Sequence, residues 1–147
     1  MDLEAEVRVI LINEMTKALE KLVRYIQEEL TSAFSWTPVI YERTGNTQRS
    51  VYISKPPSIV NNIITGEISF RESEVWHDSV MGSGQPKGNT SWLLEVGWDI
   101  SGKTGKNREN FDTHKGYHYI DKAVGRFNSE SKNGIQVHVY MGEGKYI

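Results

Sequence analysis

LEAEVRVILINEMTKALEKLVRYIQEELTSAF, residues Leu3 to Phe34, is the stretch on which the fold turns. Leu3, Val7, Ile10, Leu11, Ala18, Leu22, Tyr25, Ile26 and Leu30 recur at spacings of three and four, the period of an amphipathic helix. Asp2 is placed to cap its start, and Glu4 and Glu6 suit the positive end of the helix dipole. On the wet face Glu20 and Arg24 form a favourable i,i+4 pair, and Lys17 and Lys21 an unfavourable one. A helix of about thirty residues is about 45 Å long. A domain of this size has a radius of gyration near about 15 Å, too small to cover such a helix fully. Part of the apolar stripe is therefore expected to pack against another chain. The alternative is a break near Thr16, which would make two ordinary core helices.

Downstream, Trp36 to Tyr41 reads as a loop, with Pro38 stopping the helix. Thr44-Gly45-Asn46 is a turn or helix cap. Pro56-Pro57 is expected to break regular structure. Ile64, Gly66, Ile68 and Phe70 alternate with polar residues as in a half-buried strand, and either Asn61-Asn62 or Thr65-Gly66 supplies a hairpin turn. Glycines from Gly82 to Gly105 mark an extended loop region over residues 71–116, interrupted by the apolar island Trp92-Leu93-Leu94-Glu95-Val96, read as a short strand. Tyr117, Ile120, Ala123, Val124 and Phe127 have helical spacing. Asn133-Gly134 is a turn, and Ile135 to Met141 alternates as a final strand. The expected fold is α+β in one domain, 1–147. A long N-terminal helix (1–34) and a shorter C-terminal helix (in 117–147) pack on a small antiparallel or mixed sheet built from 35–70 and the last strand.

The chain has 147 residues, a length that suits one domain able to hold a core without staples. It has no cysteine, which excludes disulfides, thiolate nucleophiles and Cys-dependent zinc sites. A formal net charge of -2 gives no basic field, so a DNA-coating role does not fit. The acidic start and the short run Val9-Ile10-Leu11-Ile12 do not have the form of a targeting segment, and no stretch is apolar for long enough to span a bilayer.

Several stretches imitate catalytic motifs. Gly97-Trp98-Asp99-Ile100-Ser101-Gly102-Lys103-Thr104 satisfies the P-loop pattern letter for letter. No apolar-faced helix follows it, however, Asp99 sits in a loop meant to cradle anions, and the later strand offers no acid for magnesium. His114 and His118 are four apart and would share one face of a helix, with Asp112 or Asp121 as a third metal ligand, but Gly116 between them weakens that helix. His77-Asp78-Ser79 spells a triad in sequence, whereas triads are spatial. Glu72 and Glu74 are two apart and read as solvated acids. Lys103, Lys106, Arg108 and Lys115 are basic, with Glu109 and Asp112 interleaved. The expectation is no catalytic, cofactor-binding or metal residue. Of the four tryptophans, Trp76, Trp92 and Trp98 fall in or near the loop region, where they either anchor a partner or cover the small core.

Tyr41-Glu42-Arg43-Thr44-Gly45-Asn46, with Ser50 four further on, resembles the Y-x-R-T-G-N-x-x-x-S segment that follows a long first helix in tail-completion proteins of tailed bacteriophages, the head–tail joining or minor capsid proteins of the neck. Leu94-Glu95-Val96-Gly97 resembles that family's apolar-Glu-apolar-Gly segment, and His118-Tyr119-Ile120 with Ala123 resembles the aromatic opening of its last helix. Thr47 stands where the family has an apolar residue and Trp98 where it has a small one, and the stretch from Arg71 to Trp92 is longer.

The resemblance implies a structural virion protein, assembled in the host cytoplasm, that forms a six-fold ring with copies of itself. That ring would lie between a portal-side head-closure or adaptor protein and a tail terminator or tail-tube protein. DNA would pass through its lumen without sequence-specific binding, and no membrane would be involved. Tyr41, Arg43, Thr44, Gly45 and Asn46, with Trp76, Trp92 and Trp98, become the candidate subunit-interface residues. Arg43 offers a planar donor fork to a neighbour's carboxylate or backbone, although an internal cap and turn is an equally good reading of that segment. The alternative to a structural role is a small metal-dependent or nucleotide-binding enzyme.

Overall fold

Helix α1 runs from Leu3 to Ala33 without a break in the computed structural model, which describes residues 2–33, 46–77, 88–99, 113–132 and 134–139. Asp2 opens α1: its Oδ1 accepts from the Glu4 N–H at 3.4 Å and its carbonyl from the Glu6 N–H at 3.0 Å. The break near Thr16 does not occur: the helix runs through it, with the Thr16 hydroxyl donating to the Ile12 carbonyl at 2.9 Å. Charges along the helix pair locally, Lys17 with Glu14 at 2.8 Å and Arg24 with Glu28 rather than with Glu20.

The short helix α2 (Asn46–Arg49) leads into the hairpin of β1 (Val51–Val60) and β2 (Ile63–Phe70). Asn61-Asn62 makes the turn, with φ of 50° and 63°, the left-handed pair that a two-residue hairpin loop requires. Pro56-Pro57 does not end the strand. β1 runs through both prolines, and the register slips on either side of Lys55, so that two residues oppose Gly66 alone. A bulge tolerates the missing N–H groups that a regular ladder could not. Gly66 admits α1 at this point: a Cβ there would lie 2.5 Å from Leu19 Cδ1.

Helix α3 (Glu72–Val75) is followed by the bridge of β3 (Trp76–His77) with β4 (Gly88–Asn89). Residues Thr90–Val96, read from sequence as a strand, form helix α4. Asn89 caps it, its Oδ1 accepting from the Trp92 N–H at 3.2 Å, and Gly97 with φ 86° ends it. β5 (Gly97–Asp99) pairs antiparallel with β6 (Thr113–Lys115), and helix α5 (Tyr119–Glu130) follows. Ile135 to Val139 alternates in exposure as expected, but among the described residues it joins no ladder, so the final strand is not formed there.

The fold is thus α+β, with one long and one shorter helix over a small antiparallel hairpin. The core is the apolar face of α1 (Leu22, Tyr25, Ile26, Leu30) against Val51 of β1, Leu94 of α4, and Tyr119, Ala123 and Phe127 of α5. The three α5 residues are four apart, which places them on one stripe. α5 runs antiparallel to α1: Arg126 bonds Glu28 at 2.6 Å, while Glu130, one turn on, reaches Lys21 at 2.7 Å and the Tyr25 hydroxyl. Among the described residues no helix is long and apolar enough to cross a membrane.

Candidate subunit interface

The first fully buried residue of α1 is Leu19. Leu19 meets the hairpin at Gly66. Ile12, Met15 and Thr16 are half-buried, whereas Leu3, Val7, Val9, Ile10 and Leu11 are 74, 45, 54, 59 and 45% exposed. Leu3, Val7, Ile10 and Leu11 fall on one stripe by their spacing. A helix turn that exposes its apolar stripe gains little from propensity alone. Two more large apolar residues, Val60 and Ile63, flank the hairpin turn at 60 and 63% exposure. Sequence reasoning missed that pair, because it left the turn position open and a tip residue can be recognised only once the turn is known.

Of the residues singled out from sequence, Tyr41, Arg43, Thr44 and Gly45 lie outside the described residues. Asn46 opens α2 and accepts from the Arg49 guanidinium at 2.6 Å. Ser50, fully buried, bonds the Thr47 carbonyl at 2.6 Å and accepts the Arg71 N–H at 2.9 Å, which ties the segment to the base of the hairpin. Trp92 is exposed on α4, beside exposed Val96. Trp76 and Trp98 begin β3 and occupy the middle of β5, and their side chains lie outside what the structure describes.

Two segments far apart in sequence do meet. The Tyr117 and His118 N–H groups bond the Leu94 and Glu95 carbonyls, at 2.7 and 3.2 Å. Gly116 permits this approach: a Cβ there would lie 2.0 Å from the Glu95 carbonyl oxygen. The Glu95 side chain is buried and accepts from the Ile120 N–H at 2.8 Å and the Asp121 N–H at 3.4 Å, satisfying the open N-terminus of α5. Tyr119, also buried, donates to the Ser91 carbonyl at 2.9 Å. Burial raises the Glu95 carboxyl above the ordinary glutamate value despite the two N–H donors, and burial likewise pushes the Tyr119 phenol up.

His114 lies in β6 and His118 has a left-handed backbone with φ 52°, so the two do not share a helix face, contrary to the sequence reading. His118 and Asp121 instead approach Glu95, with ligand atoms within 4.8 Å of one another. Both Glu95 oxygens already hold backbone donors, and the positive end of α5 disfavours a cation at that point. The cluster is a helix cap. Residues 100–104 of the P-loop match, Asp112, and Asp78 and Ser79 beside His77 lie outside the described residues. The strand Gly97–Asp99 that begins the match pairs antiparallel, unlike the parallel sheet of a nucleotide fold. Glu72 and Glu74 lie on α3, where the buried Glu74 Oε2 faces Arg71 Nη1 at 4.0 Å.

No family model matches this chain, and neither a curated protein nor a solved structure is similar to it.

Proposed function

We propose that this chain is a structural subunit of the neck of a tailed bacteriophage. Copies of it close into a six-fold ring that joins the head and portal complex to the tail and leaves a channel for DNA. The observation that carries this reading is the amino-terminal part of α1, called here the overhang, where Leu3, Val7, Ile10 and Leu11 are exposed. A rotationally repeated contact between two different surfaces of one subunit closes into such a ring. The sequence supports the neck through the Tyr41–Ser50 segment and through the order of helix, hairpin, Leu94-Glu95-Val96-Gly97 and last helix. On this reading the protein acts without catalysis and resides in the virion. Its neighbours are a head-closure or adaptor protein on one side and a tail terminator or tail-tube protein on the other.

The test is assembly in the infected cell. Arg43→Ala and Trp92→Ala are expected to yield full heads and separate tails. Normal, infectious particles from a phage in which the gene is deleted would refute the proposal.

A further inference from the structure

The overhang of α1 is acidic as well as apolar. Around Leu3, Val7 and Ile10 it carries Asp2, Glu4 and Glu6 against the single cation Arg8, which is taken up by Glu4 at 2.7 Å. Glu6 has no ion pair among the described residues. Elsewhere on the same chain, where α5 ends against α1, there is a shallow groove of about 320 Å³. Its floor is apolar, formed by Ala18, Phe127 and Ile135, and its rim carries Lys17, Lys21 and Lys132 against Glu14 and Glu130. Glu14 and Glu130 are each held by a lysine, at 2.8 and 2.7 Å. Lys132 has no ion pair among the described residues. Among the described residues, one surface is thus an apolar ridge with a carboxylate that has no ion pair, and the other an apolar groove with an ammonium that has none.

A chain cannot dock its own overhang in its own groove. Residues 3–11 and 14–21 belong to one continuous helix, so they cannot fold back on each other. We infer that the amino-terminal overhang of one copy lies in the α1–α5 groove of a second copy, head to tail, with Leu3, Val7 and Ile10 on the half-buried Ala18 and Ile135 and with Glu6 facing Lys132. The occupant is another copy of this chain because the two surfaces complement each other in both shape class and charge. The contact joins two different surfaces, so its repetition propagates in one direction and closes only by rotation. This inference rests on the ring reading above and assigns the ring its two faces.

The absence of cysteine makes the test unambiguous, since any disulfide is an introduced one. Val7→Cys on one copy and Ser131→Cys on another, differently tagged, are mixed and gently oxidised. The expected product is the mixed disulfide. The double variant should give a ladder of linked chains, detected by non-reducing gels and mass spectrometry. Glu6→Lys should reduce the yield of mixed disulfide at least about tenfold, and Lys132→Glu in the partner copy should restore it. Three results would overturn the inference: disulfides only between two Val7→Cys copies, no disulfide up to millimolar protein, or no effect of the charge reversal. A ring visible in particles but lacking these cross-links would defeat the assigned faces and leave the neck reading standing. Cross-links in a chain absent from every particle would do the reverse.

Discussion

Glu95 performs a task that helices commonly give to a serine or aspartate at their own N-cap. In α5 that position is held by His118, whose left-handed backbone makes no side-chain cap bond, and the carboxylate comes instead from α4, about 25 residues earlier in the chain. Glu95→Ala would remove the cap from two part-buried N–H groups and should cost about 1–2 kcal/mol in urea unfolding. The pH dependence has a definite sign. The native state holds the Glu95 proton more tightly than the unfolded chain does. Its contribution is therefore fully present below the ordinary glutamate value and is lost as pH rises through the raised native value. Glu95→Gln removes that term, so the stability of wild type relative to Glu95→Gln should fall between pH 4 and pH 7; a rise over that range would reverse the sign. Gly116→Ala places a methyl group into the Glu95 backbone, which cannot move aside as a side chain can, and should cost about 3 kcal/mol or more. Thermal melts that match wild type would show that the approach is not as close as described.

At the scale of elements, α1 divides at Leu19 into a core half and an exposed half, and substitutions should separate the two. Leu30→Ala empties a fully buried site and is expected to cost about 2–5 kcal/mol. Ile10→Ser should leave the subunit's unfolding midpoint within about 0.5 kcal/mol of wild type while weakening self-association, measured by sedimentation. Loss of monomer stability in Ile10→Ser would mean that the overhang packs within its own chain. The helix was legible in the sequence because its pattern runs for many residues, and so was the half-buried alternation of Ile64, Gly66, Ile68 and Phe70, whereas the first strand of the hairpin and the place of its turn were not. The island Trp92 to Val96 was not, since five residues, four of them apolar, are too few for periodicity to separate a strand from a buried helix. Asn89 and Gly97 were the usable signals there, as caps at its two ends. Pro56-Pro57 misled because proline forbids a regular ladder and permits a bulged one. Ile135 to Val139 keeps the exposure pattern of a strand, and that pattern alone cannot say whether an edge is available to pair with.

For the whole molecule, the parts that suggest function are surfaces. Glu95, the most deeply placed carboxylate among the described residues, is occupied in holding α5 to α4, and the exposed large apolar residues described stand on the amino-terminal part of α1, at the hairpin turn and on α4. The Glu95 node shows why a site can be hard to read from one sequence. Its residues were quoted separately, at 94–97 and 118–120, and only the Gly116 approach brings them together. The most direct measurement of the central claim is cryo-electron imaging of the tailed particle whose genome encodes this chain, without imposed symmetry at the neck. The account predicts a closed ring of copies between portal and tail, each with its α1 overhang against the next copy. Particles whose neck contains no density for this chain, with the protein recovered as a lone monomer holding a small substrate, would contradict it.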